Sequence, residues 1–354
     1  MTAREDSGAF QFNSSWREFA PIAFTNLLLC FVTLGIYTFW ARTRERRFLW
    51  SNTRFIDDTL EWTGTGLELL IGWFLAIILF GIPVAALQFG LQALALRGYG
   101  AAAALLGLTL YLVLFYLVGV AIFRALRYRL SRTYWRGIRG GSDQQGLSFG
   151  FSYMWRTIAG SLAAGLLVPW AMTTIWNERW GQMSFGPMQF HADARYEKIF
   201  KRYLLFYLVP IILVILGVGI GIAAAGYGWK PAPNPRDVQQ SVLVIAVLAY
   251  LLFFVVLGIV ALFYYSAYFR EAIGQLTLGD LEFEFTASSW DWFKLVIGNL
   301  ALVVVTLGIG NIFIGYRNWT FFVRHMQAYG EVRVDELVQS ATREPGQGEG
   351  LLDA

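Results

Sequence analysis

Long apolar stretches dominate the chain. Seven of them run for about 18 residues or more with almost no charge, which is long enough for a helix to cross roughly 30 Å of hydrocarbon. They cover residues 19–41, 69–96, 100–123, 157–177, 203–229, 238–269 and 295–316. The second and third are joined by a short turn, and the fifth and sixth by a Gly/Pro/Asn-rich loop, so each of these pairs predicts a transmembrane helical hairpin.

Short segments between the apolar stretches alternate apolar and polar residues with period 2. Their centres are Gly, Asp or Gln, and aromatic residues flank them, which is typical of small β-hairpins. The alternative for any single segment is an irregular loop. The predicted hairpins cover residues 54–62, 140–151, 183–191, 276–285 and 327–334.

Composition narrows the class of protein further. Only 15% of the residues are charged and 56% are apolar, whereas a soluble domain carries about 25% charged residues. An ordinary cytosolic enzyme and a disordered chain are therefore excluded. The single cysteine, Cys30, excludes an intrachain disulfide. With two histidines and no nucleotide-binding or hydrolase motif, we expect no enzyme activity, no cofactor and no metal site.

The N-terminal region recurs near the C-terminus with a shift of 273 positions. Residues 32–36 match residues 305–309 identically, Asn26 falls on Asn299, and Arg44 falls on Arg317. A weaker copy lies in the middle of the chain. The repeat predicts one membrane domain, 9–335, made of units at about 9–139, 140–270 and 271–335, between disordered ends at 1–8 and 336–354.

Basic residues follow the first, third, fourth, sixth and seventh apolar stretches. If all seven stretches cross the membrane, one basic cluster faces outward, against the positive-inside rule. If the first, fourth and seventh enter and return, or lie in the interface, only Arg97, Lys230 and Arg236 of the 28 basic residues face outward. This arrangement predicts four spans, three broken segments and two cytoplasmic termini, with seven plain spanning helices as the alternative. The predicted breaks are Gly35, Gly308 and Pro169.

Two motifs carry a family resemblance. The run 33–42, TLGIYTFWAR, is followed by RRFLWSN at 46–52, and LEWTGTGLE covers 60–68. The chain resembles the YjgN-like family of bacterial inner-membrane proteins over about residues 9–335. The resemblance implies a multi-pass protein of the bacterial inner membrane. The family is a domain of unknown function, so it implies no catalytic residues.

Polar residues inside or beside the apolar stretches are candidates for contact with a solute, because intramembrane polar groups often mark a pathway. They are Asn26, Asn299, Thr33, Thr306 and Glu68. For the two asparagines the alternative is a hydrogen bond that fixes helix packing. For Glu68 it is a capping box with Thr65 as N-cap, preceded by a tight turn at Gly64 and Gly66.

Arginines at the predicted cytoplasmic ends of the segments are candidates for contact with lipid phosphates or an anionic solute, since guanidinium binds phosphate with two parallel hydrogen bonds. The alternative is that they anchor the segments at the interface. They are Arg44, Arg179, Arg317, Arg136 and Arg270.

The sequence therefore predicts an all-α integral membrane protein, a polytopic helical bundle with internal repeats and small cytoplasmic β-hairpins. The function that fits best is a transporter or channel-like protein for a small polar or anionic solute. The alternative is a non-catalytic protein that organises the membrane or binds lipid. Expected partners are the bilayer and anionic lipids. Nucleic acid is not expected, self-association is open, and the solute is not specified.

Overall fold

The computed structural model describes residues 9–226, 235–332 and 338–344. The predicted disordered N-terminus, and Lys230 in the loop between the fifth and sixth apolar stretches, lie outside these residues. Within them, ten short strands alternate with helices. The strands are β1 (Phe10–Phe12), β2 (Thr53–Phe55), β3 (Asp58–Trp62), β4 (Thr133–Trp135), β5 (Ile138–Gly141), β6 (Ser184–Phe185), β7 (Met188–Ala192), β8 (Leu276–Leu278), β9 (Leu281–Phe285) and β10 (Met326–Tyr329).

Twelve α-helices lie in the described residues, together with a π-helical turn at Ile77–Gly81 and 3₁₀ turns at Ala163–Gly165 and Ile309–Phe313. The helices are α1 (Trp16–Val32), α2 (Thr38–Ser51), α3 (Gly66–Ala76), α4 (Ile82–Leu96), α5 (Gly100–Arg132), α6 (Leu147–Ser161), α7 (Val168–Gly181), α8 (Tyr196–Tyr203), α9 (Leu205–Gly226), α10 (Pro235–Gly274), α11 (Ser289–Val305) and α12 (Ile314–His325).

The strands form one antiparallel sheet in which each strand pairs with the next in the chain. Cα atoms of β1 and β10 approach within 8 Å, so the sheet curls into a nearly closed barrel. The prediction of an all-α bundle is therefore wrong. A two-stranded hairpin is marginally stable alone and exposes unpaired backbone groups at its edges. Side-by-side pairing of the hairpins removes those edges, and the sequence pattern did not reveal it.

Period-2 alternation places apolar side chains inside the barrel. In β9, Leu281, Phe283 and Phe285 are buried while Glu282 and Glu284 are exposed. Three predicted hairpins are present, as β2–β3, β6–β7 and β8–β9. The hairpin predicted at 140–151 is wrong, because this segment contains the end of β5 and the start of α6. The hairpin lies instead at β4–β5.

Five helical excursions connect the strands, and each begins and ends on two paired neighbours. They connect β1 to β2, β3 to β4, β5 to β6, β7 to β8, and β9 to β10. Because all these pairs are antiparallel, every excursion leaves and returns at one end of the sheet, and the tight turns close the other end.

Three excursions are short hairpins, each built from one broken segment: α1–α2, α6–α7 and α11–α12. The first turns at Leu34 and Gly35, with φ of 51° and 90°, and the third at Leu307 and Gly308, with 51° and 93°. Left-handed residues stop a helix, and glycine adopts this conformation without a Cβ penalty. In the second hairpin the left-handed residues are Ala163–Gly165. Pro169 lies in the first turn of α7, just beyond this break.

The other two excursions are long. Helices at Gly100–Arg132, Tyr196–Ala223 and Leu243–Gly274 are long and apolar enough to cross a membrane. The shorter apolar helices α3 and α4 continue into each other through the π-helical turn. Large apolar side chains on α9 and α10 are exposed, for example Val214 and Tyr250, which suits contact with lipid. Four spans and a re-entrant path for the short hairpins stay predictions.

The start of β1 and the end of β10 both lie on the side of the sheet where the tight turns are. This follows because β1 leads into the first excursion and β10 comes directly after the last. Residues 338–344 then contact β5 and α5. The backbone N–H of Arg139 donates to Gln339 Oε1 at 3.1 Å, and Arg127 Nη2 donates to the Arg343 carbonyl at 3.3 Å. This part of the predicted tail therefore packs on the domain, and the cytoplasmic placement of both termini stays a prediction.

Replacing Ser288 with alanine is expected to lower the free energy of unfolding by about 1 kcal/mol, the usual value of an N-cap. Ser288 caps α11 in a capping box, in which its side chain accepts a hydrogen bond from the Asp291 backbone N–H. Ser15 precedes α1 at the equivalent position, yet its side chain caps no backbone group. Chemical denaturation should therefore show a smaller loss for Ser15→Ala, and equal losses would contradict the capping argument.

Candidate functional site: an arginine-lined chamber

A chamber of about 830 Å³ lies between the inner face of the barrel and the sheet ends of the helices. Its walls come from α2, α5, α7 and α12 and from the end of α10. All three short hairpins contribute their second helix, so the chamber sits where the three broken segments meet the sheet. This volume falls in the range of about 300–1,000 Å³ that is common for small-molecule sites.

The barrel gives the chamber an apolar floor. Nine of the ten strands contribute a side chain to the lining, and none of these side chains is charged. The set is Phe10, Phe55, Leu60, Trp135, Phe185, Phe190, Leu276, Leu278, Phe283 and Met326. The floor follows directly from the alternation of apolar and polar residues along the strands.

The helices supply all the charge. On α2, Arg42, Glu45 and Arg46 follow the i, i+3, i+4 spacing that puts side chains on one helical face. Arg129 on α5 and Arg179 on α7 also line the chamber. Four arginines and one glutamate give a formal surplus of three positive charges, in a space whose remaining walls are mostly apolar. Such a site favours an anion, because low-polarity walls strengthen its attraction to the arginines.

Arg179 occupies the least compensated position. Its Nε is buried without a hydrogen-bond partner in the described part of the chain, and its guanidinium lies 5.5 Å from the ring centre of Trp176. Burial lowers the pKa of Arg179, and the charge of Arg129 acts in the same direction. A buried cation with an unused donor costs stability, so Arg179 is a candidate for contact with a bound anion.

Glu45 is the single carboxylate among the described residues that line the chamber. Burial raises its pKa above the ordinary value, against the opposing charges of Arg46 and Arg42. Gly315 of α12 packs directly against the Glu45 carboxylate, where a Cβ atom would collide with Oε1. The carboxylate thus lies between two of the short hairpins. Because its pKa is raised, it takes up a proton at a higher pH than an exposed glutamate does.

The two predicted asparagines lie within their own hairpins. Asn26 is buried; it donates to the Ala41 carbonyl at 3.2 Å and accepts from Arg44 Nη1 at 3.2 Å. Asn299 accepts from Arg317 Nε at 2.6 Å and donates to Asn318 Oδ1 at 3.0 Å. Each amide therefore joins the two helices of one hairpin to its arginine. The described lining of the chamber contains neither asparagine, nor Arg44 or Arg317.

The two predicted threonines form hydrogen bonds with backbone groups where the helices break. Thr33 Oγ1 donates to the Leu29 carbonyl at 2.7 Å and accepts from the Tyr37 backbone N–H at 3.0 Å. Thr306 Oγ1 makes the equivalent pair of bonds, to Leu302 and from Gly310, each at 2.6 Å. These hydroxyls satisfy backbone groups that the helix ends leave unpaired.

Glu68 lies in the predicted capping box with Thr65, which the structure confirms. It also accepts hydrogen bonds from Tyr128 at 3.0 Å and from Arg132 at 3.0 Å, so its carboxylate ties α3 to α5. Gly64 and Gly66 form the preceding turn. Cβ atoms there would approach Trp62 and Trp40, each within 2.8 Å.

The remaining two predicted arginines lie away from the chamber. Arg136 sits in the β4–β5 turn, at the opposite end of the sheet, where it pairs with Asp57. Arg270 Nη1 donates to the Ala287 carbonyl at 3.2 Å. Of the five arginines singled out from the sequence, only Arg179 reaches the chamber.

Glu45 and Asn318 were not among the site residues predicted from the sequence. Arg42, Arg46 and Arg129 were counted only among the basic residues that follow the first and third apolar stretches. One signal was available. Glu45 lies three positions after Arg42 and one position before Arg46, and this spacing marks a mixed-charge face on a short helix. Nothing in the local sequence shows that this face meets α7 and α12.

Replacing Asn26 or Asn299 with alanine is expected to lower the free energy of unfolding by about 0.6–2 kcal/mol, the range for hydrogen bonds between membrane helices. The losses should add in the double variant, because the two amides share no hydrogen-bond partner. Thermal or chemical unfolding in detergent measures both effects. Loss of anion binding at unchanged stability would instead show that the amides line a solute path.

The long apolar helices and the sheet that joins them define an integral membrane protein in which helical hairpins rise from a β-barrel. The chain matches the family described as "Bacterial protein of unknown function (DUF898)" over residues 7–354, and it belongs to this family.

A curated relative is "Inner membrane protein YjgN" of Salmonella typhimurium (strain LT2), which is 25% identical over 130 residues. The match covers 37% of this chain and 30% of that protein, so the chain spans less than a third of the relative's length. It supports the YjgN-like resemblance and the membrane location. The comparison with solved structures gives no significant match.

Proposed function

We propose that this membrane protein binds an anionic solute in the arginine-lined chamber and moves it across the bilayer. The observation that carries the proposal is the convergence of four arginines and one glutamate, from three helices, on a single chamber. Charge is rare in this chain. The excess of arginine over glutamate in the lining, together with the unused buried donor of Arg179, favours an anion over a neutral or cationic solute.

The arrangement of the short hairpins supports movement of the solute. Helices α2, α7 and α12 each supply chamber residues, and each is joined to its preceding helix by left-handed residues. Such linkers can act as hinges that change the angle between the two helices of a hairpin, which the Asn26 and Asn299 hydrogen bonds otherwise hold together. Rearrangement of the three helices around a bound anion is the conformational step that transport requires.

The distribution of charge supports a cytoplasmic chamber. Arg129 and Arg179 lie at the sheet ends of α5 and α7, and Arg42 and Arg46 lie further from the sheet on α2. All four belong to the basic clusters predicted to face inward. The positive-inside rule places this end of a membrane protein in the cytoplasm. The anion would therefore enter or leave the chamber on the cytoplasmic side.

Uptake into proteoliposomes tests this function. Vesicles containing the protein are given radiolabelled inorganic phosphate, methanesulfonate or octanesulfonate under an imposed membrane potential. We expect saturable uptake of at least one anion above that of protein-free vesicles, and at least a tenfold fall in the Arg179→Met variant. Exposed Arg195, which pairs with Asp193, provides the control Arg195→Gln. Absence of uptake, or equal uptake in Arg179→Met, would contradict transport through the chamber.

A lipid-binding, membrane-organising role is the second candidate. It is favoured by the exposed apolar faces of the long helices, and by guanidinium groups that suit a lipid phosphate as well as a free anion. Mass spectrometry of lipid retained after purification distinguishes the two. An anionic lipid that stays bound to the unmodified protein and is lost in Arg179→Met, without any solute uptake, would favour this role.

A further inference from the structure

The charged residues of the chamber lie on its helices, among apolar helix residues such as Leu126 and Trp319, whereas its strand residues are all apolar in the described lining. Every charged side chain of the lining belongs to a helix, at the roof, while the strands contribute only apolar side chains, at the floor. A small hydrated anion at the roof would leave the floor facing water, which is unfavourable for so much apolar surface. From this separation we infer that the ligand is an amphipathic organic anion, with one acidic head group and an apolar body. The inference rests on the proposed function.

Four tryptophans on α2, α7 and α12 line the chamber together with the charged residues. Trp50 and Trp319 stack with ring centres 4.1 Å apart, and Trp180 contacts Phe190 of the floor at 5.0 Å. Trp176 lies beside Trp180, with ring centres at 5.6 Å. Indole rings suit the boundary between an apolar body and a polar head, because each carries one polar edge on a large apolar surface. The head group thus lies at the arginines and the body in the barrel.

The lining argues against polar anions such as sugar phosphates or nucleotides. Apart from the five charged residues, Asn318 is the one polar side chain in the described lining. Hydroxyl groups or base edges placed against the floor would lose their hydrogen bonds to water without replacement, which is costly. An aliphatic or aromatic body has no such groups and fills the floor favourably.

A series of alkylsulfonates tests the ligand class, because a sulfonate stays ionised across the accessible pH range. Titration calorimetry compares methanesulfonate, butanesulfonate and octanesulfonate, and neutral octanol, with the protein in nanodiscs. Empty nanodiscs supply the background for partition into lipid. Each methylene buried in the floor should strengthen binding about fourfold. We expect octanesulfonate to bind at least 100-fold more tightly than methanesulfonate, and octanol to bind weakly.

A floor variant adds an independent measurement. Met326 of β10 lines the chamber, whereas Met188 of β7 lies outside the lining. We expect Met326→Gln to weaken octanesulfonate about tenfold and to leave methanesulfonate unchanged, while Met188→Gln changes neither. Both residues are partly buried, so the second variant controls for general effects on the barrel.

The outcomes separate this inference from the proposed function. Equal binding of the short and long sulfonates, both lost in Arg179→Met, would overturn the amphipathic ligand and leave the anion site standing. No sulfonate binding at all would overturn both. Octanol binding as tightly as octanesulfonate would show a cavity that does not use its arginines, which also overturns both.

Discussion

Replacing Arg179 with methionine is expected to weaken anion binding about tenfold to 150-fold while leaving the free energy of unfolding unchanged or higher. The lost hydrogen bond to a charged group contributes about 1.5–3 kcal/mol to binding. Methionine keeps the length and apolar contacts of the arginine stem. It removes a buried cation whose Nε has no partner in the described residues.

The opposite directions of the two effects make this variant informative. A structural arginine stabilises the fold through its bonds, and its removal costs stability. Arg179 makes a contact with the Trp176 ring, which is worth about 2 kcal/mol for a desolvated pair, against the larger cost of burying a charge whose donor is unused. Gain or retention of stability together with loss of ligand is the signature of a residue kept for binding.

Titration calorimetry with octanesulfonate and chemical unfolding in the same detergent provide the two measurements. Arg179→Lys keeps the charge but lacks the Nε–H donor and the guanidinium fork, so it should recover only part of the affinity, and Arg195→Gln should change neither quantity. A large loss of stability in Arg179→Met would show that the guanidinium holds α7 in place, and would contradict its assignment to the ligand.

Replacing Glu45 with glutamine is expected to strengthen anion binding about tenfold at neutral pH and to remove most of its pH dependence. An ionised carboxylate repels the anion, and one charge at this kind of partly buried site corresponds to about 1.4 kcal/mol or more. Glutamine has nearly the same shape, so its contact with Gly315 is retained.

The sign of the pH dependence follows from the raised pKa of Glu45. As the pH falls through this raised value, the carboxylate takes up a proton and the formal charge of the chamber rises from three to four. The charged groups that face the chamber are Arg42 and Arg46 on the same helix, Arg129 on α5 and Arg179 on α7. Glu45 is the single carboxylate in the described lining, so anion affinity should rise on acidification.

Octanesulfonate affinity measured from acid to neutral pH checks this prediction, because the ligand itself does not titrate there. The unmodified protein should bind more tightly at low pH, and Glu45→Gln should show the tighter affinity throughout. An unchanged pH profile in the variant would show that another group controls binding. If affinity rises with pH, the role given to the carboxylate is wrong.

The apolar pattern predicted the helical part of this protein well, because each helix satisfies its own backbone and its boundaries depend on nearby residues. The breaks at Gly35 and Gly308 were visible in the sequence, since a Thr-Leu-Gly run inside an apolar segment stops a helix locally. The capping box at Thr65 and Glu68 is equally local. Strand segments were also visible, although one hairpin was placed at 140–151 instead of at β4–β5.

The site was much less predictable. Polar residues inside apolar segments suggested a solute path through Asn26 and Asn299, yet both amides bond within their own hairpins. Arg44 and Arg317 bond to those amides, whereas Arg179, at the matching end of the second hairpin, reaches the chamber. Similar sequence positions thus have different roles, because the packing around each hairpin differs.

The sequence by itself determined that this is a membrane protein, where its helices break, and which strand residues are apolar. These features depend on residues near one another in the chain, because helix propensity, backbone conformation and the transfer of apolar side chains out of water are local properties. Only the tertiary structure decided that ten short strands share one sheet, and that charges on α2, α5 and α7 meet above its apolar face. Residues far apart in sequence meet there, because antiparallel pairing of the strands brings both ends of every helical excursion to the same rim.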